Sequence, residues 1–262
     1  MTLQTEHVGM NRTGIQMSPI DSKLMQDVDP SLQGDDGGDE SALAEMRTDY
    51  IINADTLGSV PIPATLTGVV STAIKMLTGD SPHILLDKLG ERLAFERTGT
   101  RLYDALITKC EAMLDGDISM TVDDLMQIRQ DEARHFRMVA EAITSLGADP
   151  TAQTPSADLV GVESMGLVQV INDPRTTIAQ SLHAIVTAEL SDKAGWETLV
   201  ALADEHDLSD MVEQFTGALN QEREHLALMQ TWYEEAIGLT YGDVDIEDDQ
   251  GSLISTPPPT DA

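Results

Sequence analysis

The chain has 262 residues, enough for one domain with its own core or for two small ones. Its formal net charge of −31 disfavours binding to nucleic acids and to anionic membranes, because a polyanion repels phosphate groups. The single cysteine, Cys110, excludes a disulfide framework within the chain. The first residues lack a signal-peptide pattern, and no apolar run approaches the ~20 residues of a membrane span. A soluble cytoplasmic protein is therefore expected.

The N-terminal third divides into two predicted segments. Residues 1–48 are polar and acidic, and they carry too little apolar surface to offset the entropy lost on ordering, so we predict a disordered arm. Residues 49–80 are more apolar. We expect an extended segment there, followed by a short helix over 66–77 that packs against the outside of the main domain.

A main domain of four long helices is predicted over residues 81–238. The first helix begins at Ser81 and Pro82, a cap followed by a first-position proline, and ends before Gly116. Residues at 3–4-residue spacing form its inward stripe: Leu89, Leu93, Glu96, Thr100, Tyr103 and Ile107. The stripe predicts that Glu96 points into the core.

The second helix is predicted to begin at Thr121, where Thr121 and Asp124 have the spacing of a capping box, and to end at Leu146 and Gly147. Its inward stripe comprises Leu125, Ile128, Glu132, His135, Val139 and Ile143. The connection over 147–173 is rich in Gly, Pro, Ser and Asp, and holds one short predicted element at 168–171. So long a connection makes the second and third helices of a bundle parallel.

The third helix is predicted to begin at Asp173 and Pro174 and to run to about Ala203. Its inward residues are Ile178, Leu182, Ile185, Glu189, Trp196 and Leu199. The fourth is predicted to run from Ser209 or Asp210 to Ile237 and Gly238, with the stripe Phe215, Leu219, Glu222, His225, Met229 and Trp232. Residues 239–262 are acidic and then proline-rich, so a disordered tail is predicted.

The stripes bring together six candidate metal ligands: Glu96, Glu132, His135, Glu189, Glu222 and His225. Each half of the domain repeats one unit, a helix with a lone Glu followed by a helix with Glu-x-x-His, which stacks a carboxylate and an imidazole on one face. Four carboxylates converging in an apolar core would repel one another, whereas two divalent cations would neutralise them. We therefore predict a carboxylate-bridged two-metal site inside a four-helix bundle.

A buried salt-bridge network is the alternative explanation for these carboxylates. It would require basic partners, and we assign none to the inward stripes, because Arg129, Arg134 and Lys193 lie off the Glu and His lines. His83, His183 and His206 are not assigned as ligands. His83 and His206 lie at predicted helix ends and are interpreted as surface residues, whereas His183 lies about 120° off the line of Glu189.

Over residues 82–237 the chain resembles the ferritin-like superfamily, especially its rubrerythrin and bacterioferritin branch of di-iron carboxylate proteins. The resemblance lies in residues 96–103, 131–135, 188–192 and 221–225. It implies an all-α, antiparallel four-helix bundle with a long crossover between its second and third helices. It also implies that Glu132 and Glu222 bridge two metals, that Glu96 and His135 complete one metal site, and that Glu189 and His225 complete the other.

Asp192 stands three residues after Glu189, where rubrerythrins carry a second carboxylate. We consider it an extra ligand, a hydrogen-bond acceptor for a ligand histidine, or an exposed surface residue. Rubrerythrins proper also carry a four-cysteine module that this chain lacks, so reducing electrons would come from a separate donor. The long acidic arms are unlike compact storage ferritins. We expect a homodimer or a higher oligomer.

Three functions agree with this ligand set, because oxygen and imidazole ligands suit Fe(II), Mn(II) and, less selectively, Zn(II). The first is an oxidoreductase that uses two Fe ions to reduce peroxide or O2, with oxidation of Fe(II) as a related activity. Tyr103, close to Glu96 along the helix, would then relay an electron or donate a hydrogen bond; the alternative is a core tyrosine with a satisfied hydroxyl. The second is a di-manganese catalase-like enzyme with the same ligands.

The third is a non-enzymatic metal-binding protein whose acidic arms dock a partner. Residues 251–254 of the tail support this third function, because they form a small apolar segment among polar residues. The segment faintly resembles the docking peptides of ferritin-like cargo in protein nanocompartments.

Overall fold

The computed structural model describes residues 20, 23, 24, 27, 41–61, 82–114 and 118–239. Within these ranges the regular structure is helical and no strand occurs, which confirms the predicted all-α fold. The helices are α1 Ser41–Asn53, α2 Pro82–Met113, α3 Val122–Ser145, α4 Pro155–Glu163, α5 Met165–Asn172, α6 Ile178–Glu205 and α7 Ser209–Ala236. None of the helices in the described part is long and apolar enough to cross a membrane.

The four long helices, α2, α3, α6 and α7, enclose a common core. Helix α2 packs along α3 and α6, and α7 packs along the same two helices from the other side. The short connections 114–121 and 206–208 make each consecutive pair, α2 with α3 and α6 with α7, antiparallel neighbours. Side chains from all four helices can therefore meet near mid-length.

Two capping boxes set the starts of α3 and α6. Thr121 and Asp124 form the predicted box at α3. The predicted start of the third helix at Asp173 and Pro174 is wrong, because Thr177 accepts the Gln180 N–H at 3.2 Å while Gln180 Oε1 accepts the Thr177 N–H at 2.9 Å. Asp173 instead accepts the Arg175 N–H at 2.9 Å, so its carboxylate closes a turn before the helix.

The long connection between α3 and α6 contains two short helices, α4 and α5, where the sequence indicated only one element at 168–171. Both pack on α2, and α5 also packs on α6. Asp87 of α2 fixes the start of α4 by accepting hydrogen bonds from the Ser156 N–H at 3.0 Å and the Ser156 hydroxyl at 2.6 Å. A side chain on Gly90 would collide with Thr154, so glycine permits this close approach.

The predicted boundary at residue 48 falls inside helix α1, since residues 41–48 are helical. No residue of α1 is buried. Residues 49–53 continue α1, and residues 54–61 have no regular structure, with a bend at Leu57 and a positive φ of 133° at Gly58. The helix predicted over 66–77, the tail island at 251–254, and nearly all of residues 1–40 lie outside the described residues.

In the part of the chain that the structure describes, the core consists of two apolar clusters on either side of a polar layer. One includes Leu102, Leu182 and Met229, and the other includes Leu89, Val139 and Phe215. Along each long helix the predicted Glu or His residues fall between the two. Cys110 is buried in the first cluster, as expected for a small apolar side chain, and burial raises the pKa of its thiol to about 12.

Candidate metal centre

All six predicted ligands are buried, with exposed fractions between 0% and 4%. Their ligand atoms form two groups of four residues, in each of which one atom per residue lies within 4.8 Å of the others. The groups share Glu132 and Glu222; the first adds Glu96 and His135, and the second adds Glu189 and His225. The structure therefore brings together every residue that the four stripes predicted.

Glu222 lies between the two histidines. Its Oε1 is 2.6 Å from His135 Nδ1, and its Oε2 is 3.1 Å from His225 Nδ1. Glu132 Oε1 lies 3.6 Å from His225 Nδ1, and Glu96 Oε2 lies 3.8 Å from His135 Nδ1. Each oxygen of Glu222 thus faces a different group of ligands.

The outward nitrogens of both histidines have partners that sequence reasoning missed. His135 Nε2 lies 3.0 Å from Gln221 Oε1, and His225 Nε2 lies 3.4 Å from Asp131 Oδ2. Because both acceptors lack a hydrogen to give, each Nε2 carries the proton, and Nδ1 is the atom directed at the carboxylates. The signal was present in the sequence, since Asp131 and Gln221 each immediately precede the Glu of a Glu-x-x-His pair.

Protons compensate part of the charge in this layer. Burial, and then neighbouring carboxylates, raise the pKa of Glu96 and of Glu132 well above the usual range, and the same holds for Glu189. Burial also acts to raise the pKa of Glu222, but its contacts with the His135 and His225 imidazoles outweigh burial and hold that pKa at about 2. The two Nδ1 atoms therefore face Glu222, where a cation would bind the same atoms.

Several ligand atoms are buried without a well-oriented hydrogen-bond partner. They are both carboxylate oxygens of Glu96 and of Glu132, Glu189 Oε2, Glu222 Oε1 and His135 Nδ1. Buried polar atoms in proteins are rarely unsatisfied, and each costs about 1–3 kcal/mol. Their concentration at one place, with oxygen and imidazole donors only, fits a site for hard or borderline divalent cations.

The prediction that no basic residue lies on the inward stripes is wrong, because one does. Arg92, four residues before Glu96, has only 2% of its surface exposed. Its Nη1 forms an ion pair with Asp192 Oδ1 and donates to the Asp192 carbonyl at 2.8 Å, while its Nε lies 3.7 Å from Glu96 Oε1. The spacing of Arg92, four residues before Glu96, matches the inward stripe of that helix and could have identified it.

Asp192 is buried, with 2% exposure, so its interpretation as an exposed residue is wrong. No described hydrogen bond joins it to a histidine, and it belongs to neither group of four ligands. Its carboxylate pairs with Arg92 instead. Burial raises the pKa of Asp192 to about 7 despite the Arg92 charge. The positive charge of Arg92 thus balances the negative charge of Asp192, and the negative charges of the four ionised glutamates remain to be balanced.

Tyr103, seven residues after Glu96 on α2, makes its described hydrogen bond with the second group of ligands. The buried hydroxyl donates to Glu189 Oε1 at 2.5 Å, from α2 across to α6. The hydroxyl therefore has a hydrogen-bond partner, as expected for a tyrosine in the core, and that partner is the candidate ligand Glu189. Trp196, seven residues after Glu189, lies edge-on to His135 with ring centroids 5.5 Å apart.

Gly99 provides the space that Glu132 occupies. A β-carbon at position 99 would overlap Glu132 Oε2. The glycine lies three residues after Glu96 on α2, so the helix backbone forms the wall of the site at this point. Sequence reasoning gave this residue no role, because a glycine in a helix has no side chain to place on a stripe.

The histidines left unassigned lie away from these groups. His83 and His183 are exposed, and the His183 ring contacts Tyr233 at a centroid distance of 5.4 Å. His206 is half-buried at the C-cap of α6.

Comparisons of the chain with protein-family models, with curated proteins and with solved structures found no match. Function is therefore inferred from the side chains of this site and their surroundings.

Proposed function

We propose that this chain is a ferritin-like four-helix-bundle protein that binds two metal ions, principally iron, and reduces peroxide or O2. The observation that carries the proposal is that two groups of four ligands share Glu132 and Glu222. Two shared carboxylates are the arrangement that holds a pair of metals close together. The long helical connection between α3 and α6 agrees with the crossover of such a bundle.

In this proposal Glu132 and Glu222, which belong to both groups of ligands, would hold both metals. Glu96 and His135 complete one site, and Glu189 and His225 complete the other. The four glutamates carry four negative charges when ionised, which two divalent cations balance. The two Nε2 contacts, to Gln221 and Asp131, hold both imidazole rings with Nδ1 toward the metals.

Two adjacent iron ions would supply the two-electron couple needed to reduce an O–O bond. The chain itself excludes bulk water with the two apolar clusters and holds a proton at the Tyr103 hydroxyl, 2.5 Å from Glu189 Oε1. Burial raises the pKa of Tyr103 well above its usual range, so that proton stays on the hydroxyl at neutral pH. Reducing equivalents are proposed to come from a separate donor.

The test is metal content combined with reaction stoichiometry. Anaerobic loading with Fe(II) is expected to give two irons per chain and stoichiometric loss of peroxide or O2, with an absorption band typical of oxo-bridged iron. Glu132→Ala should lose both metals, because both sites share this residue, and Glu189→Ala should lose one. Glu141→Ala, an exposed position on the same helix, is the matched control.

Three outcomes would change the proposal. Peroxide turnover that persists in Glu132→Ala after the metals are lost would contradict it. Preferential manganese content with vigorous O2 release from peroxide would favour the di-manganese catalase-like alternative. Two bound metals without turnover of either oxidant would favour a metal-binding protein with no enzymatic role.

A further inference from the structure

A buried ion pair links α2 to α6 beside the candidate metal centre. Arg92 holds Asp192 at two points, the carboxylate Oδ1 and the main-chain carbonyl, both through Nη1. The other side of the guanidinium faces the candidate ligand Glu96, with 3.7 Å between Arg92 Nε and Glu96 Oε1. Arg92 therefore lies between a carboxylate inside the ligand set and one outside it.

The surroundings of Arg92 are shaped to keep it in this position. A β-carbon at Gly195, three residues after Asp192, would lie only 2.8 Å from Arg92 Nη1, so the close approach to α6 requires glycine. The guanidinium carbon lies 4.5 Å from the centre of the Phe95 ring, within the range of a cation–π contact. With 2% exposure, the side chain has no solvent into which it could swing.

Asp192 is a buried carboxylate on the same helix as the candidate ligand Glu189. It lies one helical turn after Glu189 on the same buried face of α6. The Arg92 guanidinium that pairs with Asp192 also lies 3.7 Å from Glu96 Oε1, so one side chain separates Asp192 from a candidate ligand. A buried carboxylate without a partner in such a place would bind a nearby cation, since leaving it unpaired costs several kcal/mol.

We propose that Arg92 is a positioning residue that holds Asp192 out of the metal ligand set. The pair limits the centre to four carboxylate ligands and keeps its net charge balanced by two divalent cations. This inference rests on the proposed two-metal site, but not on its redox chemistry. It assigns a function to Gly195 as well, because any larger residue there would displace the guanidinium.

Co(II) titration tests the proposal, because the d–d bands of Co(II) report the number and type of its ligands whether or not the protein has redox activity. In Asp192→Asn, we expect a Co(II) affinity within about threefold of wild type and unchanged bands, because Asp192 is not a ligand. In Arg92→Met, we expect affinity to rise about tenfold or more and the bands to shift, because the freed carboxylate enters the ligand set. The double variant should return both quantities toward wild type.

The double variant also removes the problem of an unpaired buried charge, since replacing both partners of a buried pair is far better tolerated than replacing one. Arg92→Lys, which keeps the charge but not the two-point contact, is expected to lie between wild type and Arg92→Met. If Arg92→Met does not fold, the lysine variant and Asp192→Asn still decide the question.

Two results would overturn the proposal. A changed spectrum or a more than tenfold loss of affinity in Asp192→Asn would make Asp192 a ligand. Identical spectra and affinities in Arg92→Met and the double variant would reduce Arg92 to a structural role. Wild-type protein that binds no Co(II) would contradict both this proposal and the two-metal site, whereas bound Co(II) without peroxide turnover by the iron form would count only against the redox function.

Discussion

Gln221 Oε1 lies 3.0 Å from His135 Nε2, so α7 supports a candidate ligand on α3. The reverse contact joins Asp131 of α3 to His225 of α7 at 3.4 Å between Oδ2 and Nε2. Each Glu-x-x-His pair is thus completed by the residue that precedes the other pair. The two Glu-x-x-His pairs therefore share their pattern of contacts as well as their sequence spacing. The acceptor is the charged carboxylate of Asp131 for His225 and the neutral amide of Gln221 for His135.

Removing either acceptor should weaken metal binding without removing a ligand. For Gln221→Ala and Asp131→Ala, we expect metal affinity to fall about 10–100-fold, because the imidazole loses the partner that fixes its tautomer. Asp131→Ala should have the larger effect, since a carboxylate acceptor strengthens the hydrogen bond. Zn(II) titration measures the affinity, and imidazole nitrogen NMR reports the tautomer.

Asn220→Ala provides the control for these variants, because Asn220 precedes Gln221, is exposed, and contacts only Arg223 among the described hydrogen bonds. An affinity in Gln221→Ala equal to that of Asn220→Ala would show that the contact to His135 has no role in binding.

Gly99→Ala should disrupt the centre through the bridging residue. The added methyl group would overlap Glu132 Oε2 and displace the carboxylate that both ligand groups share. We expect metal affinity to fall more than about tenfold at both sites, although alanine is the better helix former by about 1 kcal/mol. Metal titration and thermal unfolding of the metal-free protein separate the two effects.

Gly217→Ala on α7 is the matched control, because nothing lies within 4 Å of the added β-carbon. It should raise stability slightly and leave metal binding unchanged. Two metals bound at wild-type affinity in Gly99→Ala would contradict the assignment of Glu132 as a shared ligand.

Tyr103→Phe removes the hydrogen bond to Glu189 Oε1. The metal-free protein should lose about 1–3 kcal/mol of unfolding free energy, because a buried carboxyl group is left without its donor. Tyr233→Phe is the control, since that half-buried ring packs on His183 and its hydroxyl makes no described hydrogen bond; its cost should stay within about 0.5 kcal/mol. Chemical denaturation in the presence of a chelator measures the unfolding free energy of both variants. Equal losses in the two variants would show that the Tyr103 hydroxyl does not stabilise the core.

The metal-free protein should become less stable as the pH rises from about 6 to 8. The pKa of Asp192 is raised from 3.8 to about 7 by burial, and burial also raises those of Glu96, Glu132 and Glu189. A raised folded-state pKa contributes stability that is fully present below the unfolded pKa and is lost as the pH passes the folded value. Metal binding should release these protons, so the stabilisation by metal should grow with pH.

Thermal unfolding with a chelator and with Zn(II), both at high salt, measures the two trends, because salt screens the general repulsion expected at a net charge of −31. A melting temperature of the metal-free protein that rises between pH 6 and pH 8 would contradict the prediction. Glu132→Gln should make the melting temperature of the metal-free protein depend less on pH, since it removes one of the carboxyl groups that titrate in the core.

The sequence by itself determined which residues of each long helix face the core. Glu96, Glu132, His135, Glu189, Glu222 and His225 could be placed because a helix repeats every 3.6 residues, and the apolar neighbours of each residue identify its inward face. The start of α3 was also readable, since Thr121 and Asp124 form a local capping box. These features depend on contacts within one helix or one turn.

Only the tertiary structure decided how residues on different helices meet. The Tyr103 hydroxyl crosses from α2 to Glu189 of α6, and Arg92 of α2 pairs with Asp192 of α6. Gln221 precedes one Glu-x-x-His pair in sequence, but its position gave no indication that it would reach His135 of the other pair. Such contacts depend on the rotation and axial offset of one helix against another. Periodicity within a single helix leaves both undetermined, because the packing of all four helices fixes them together.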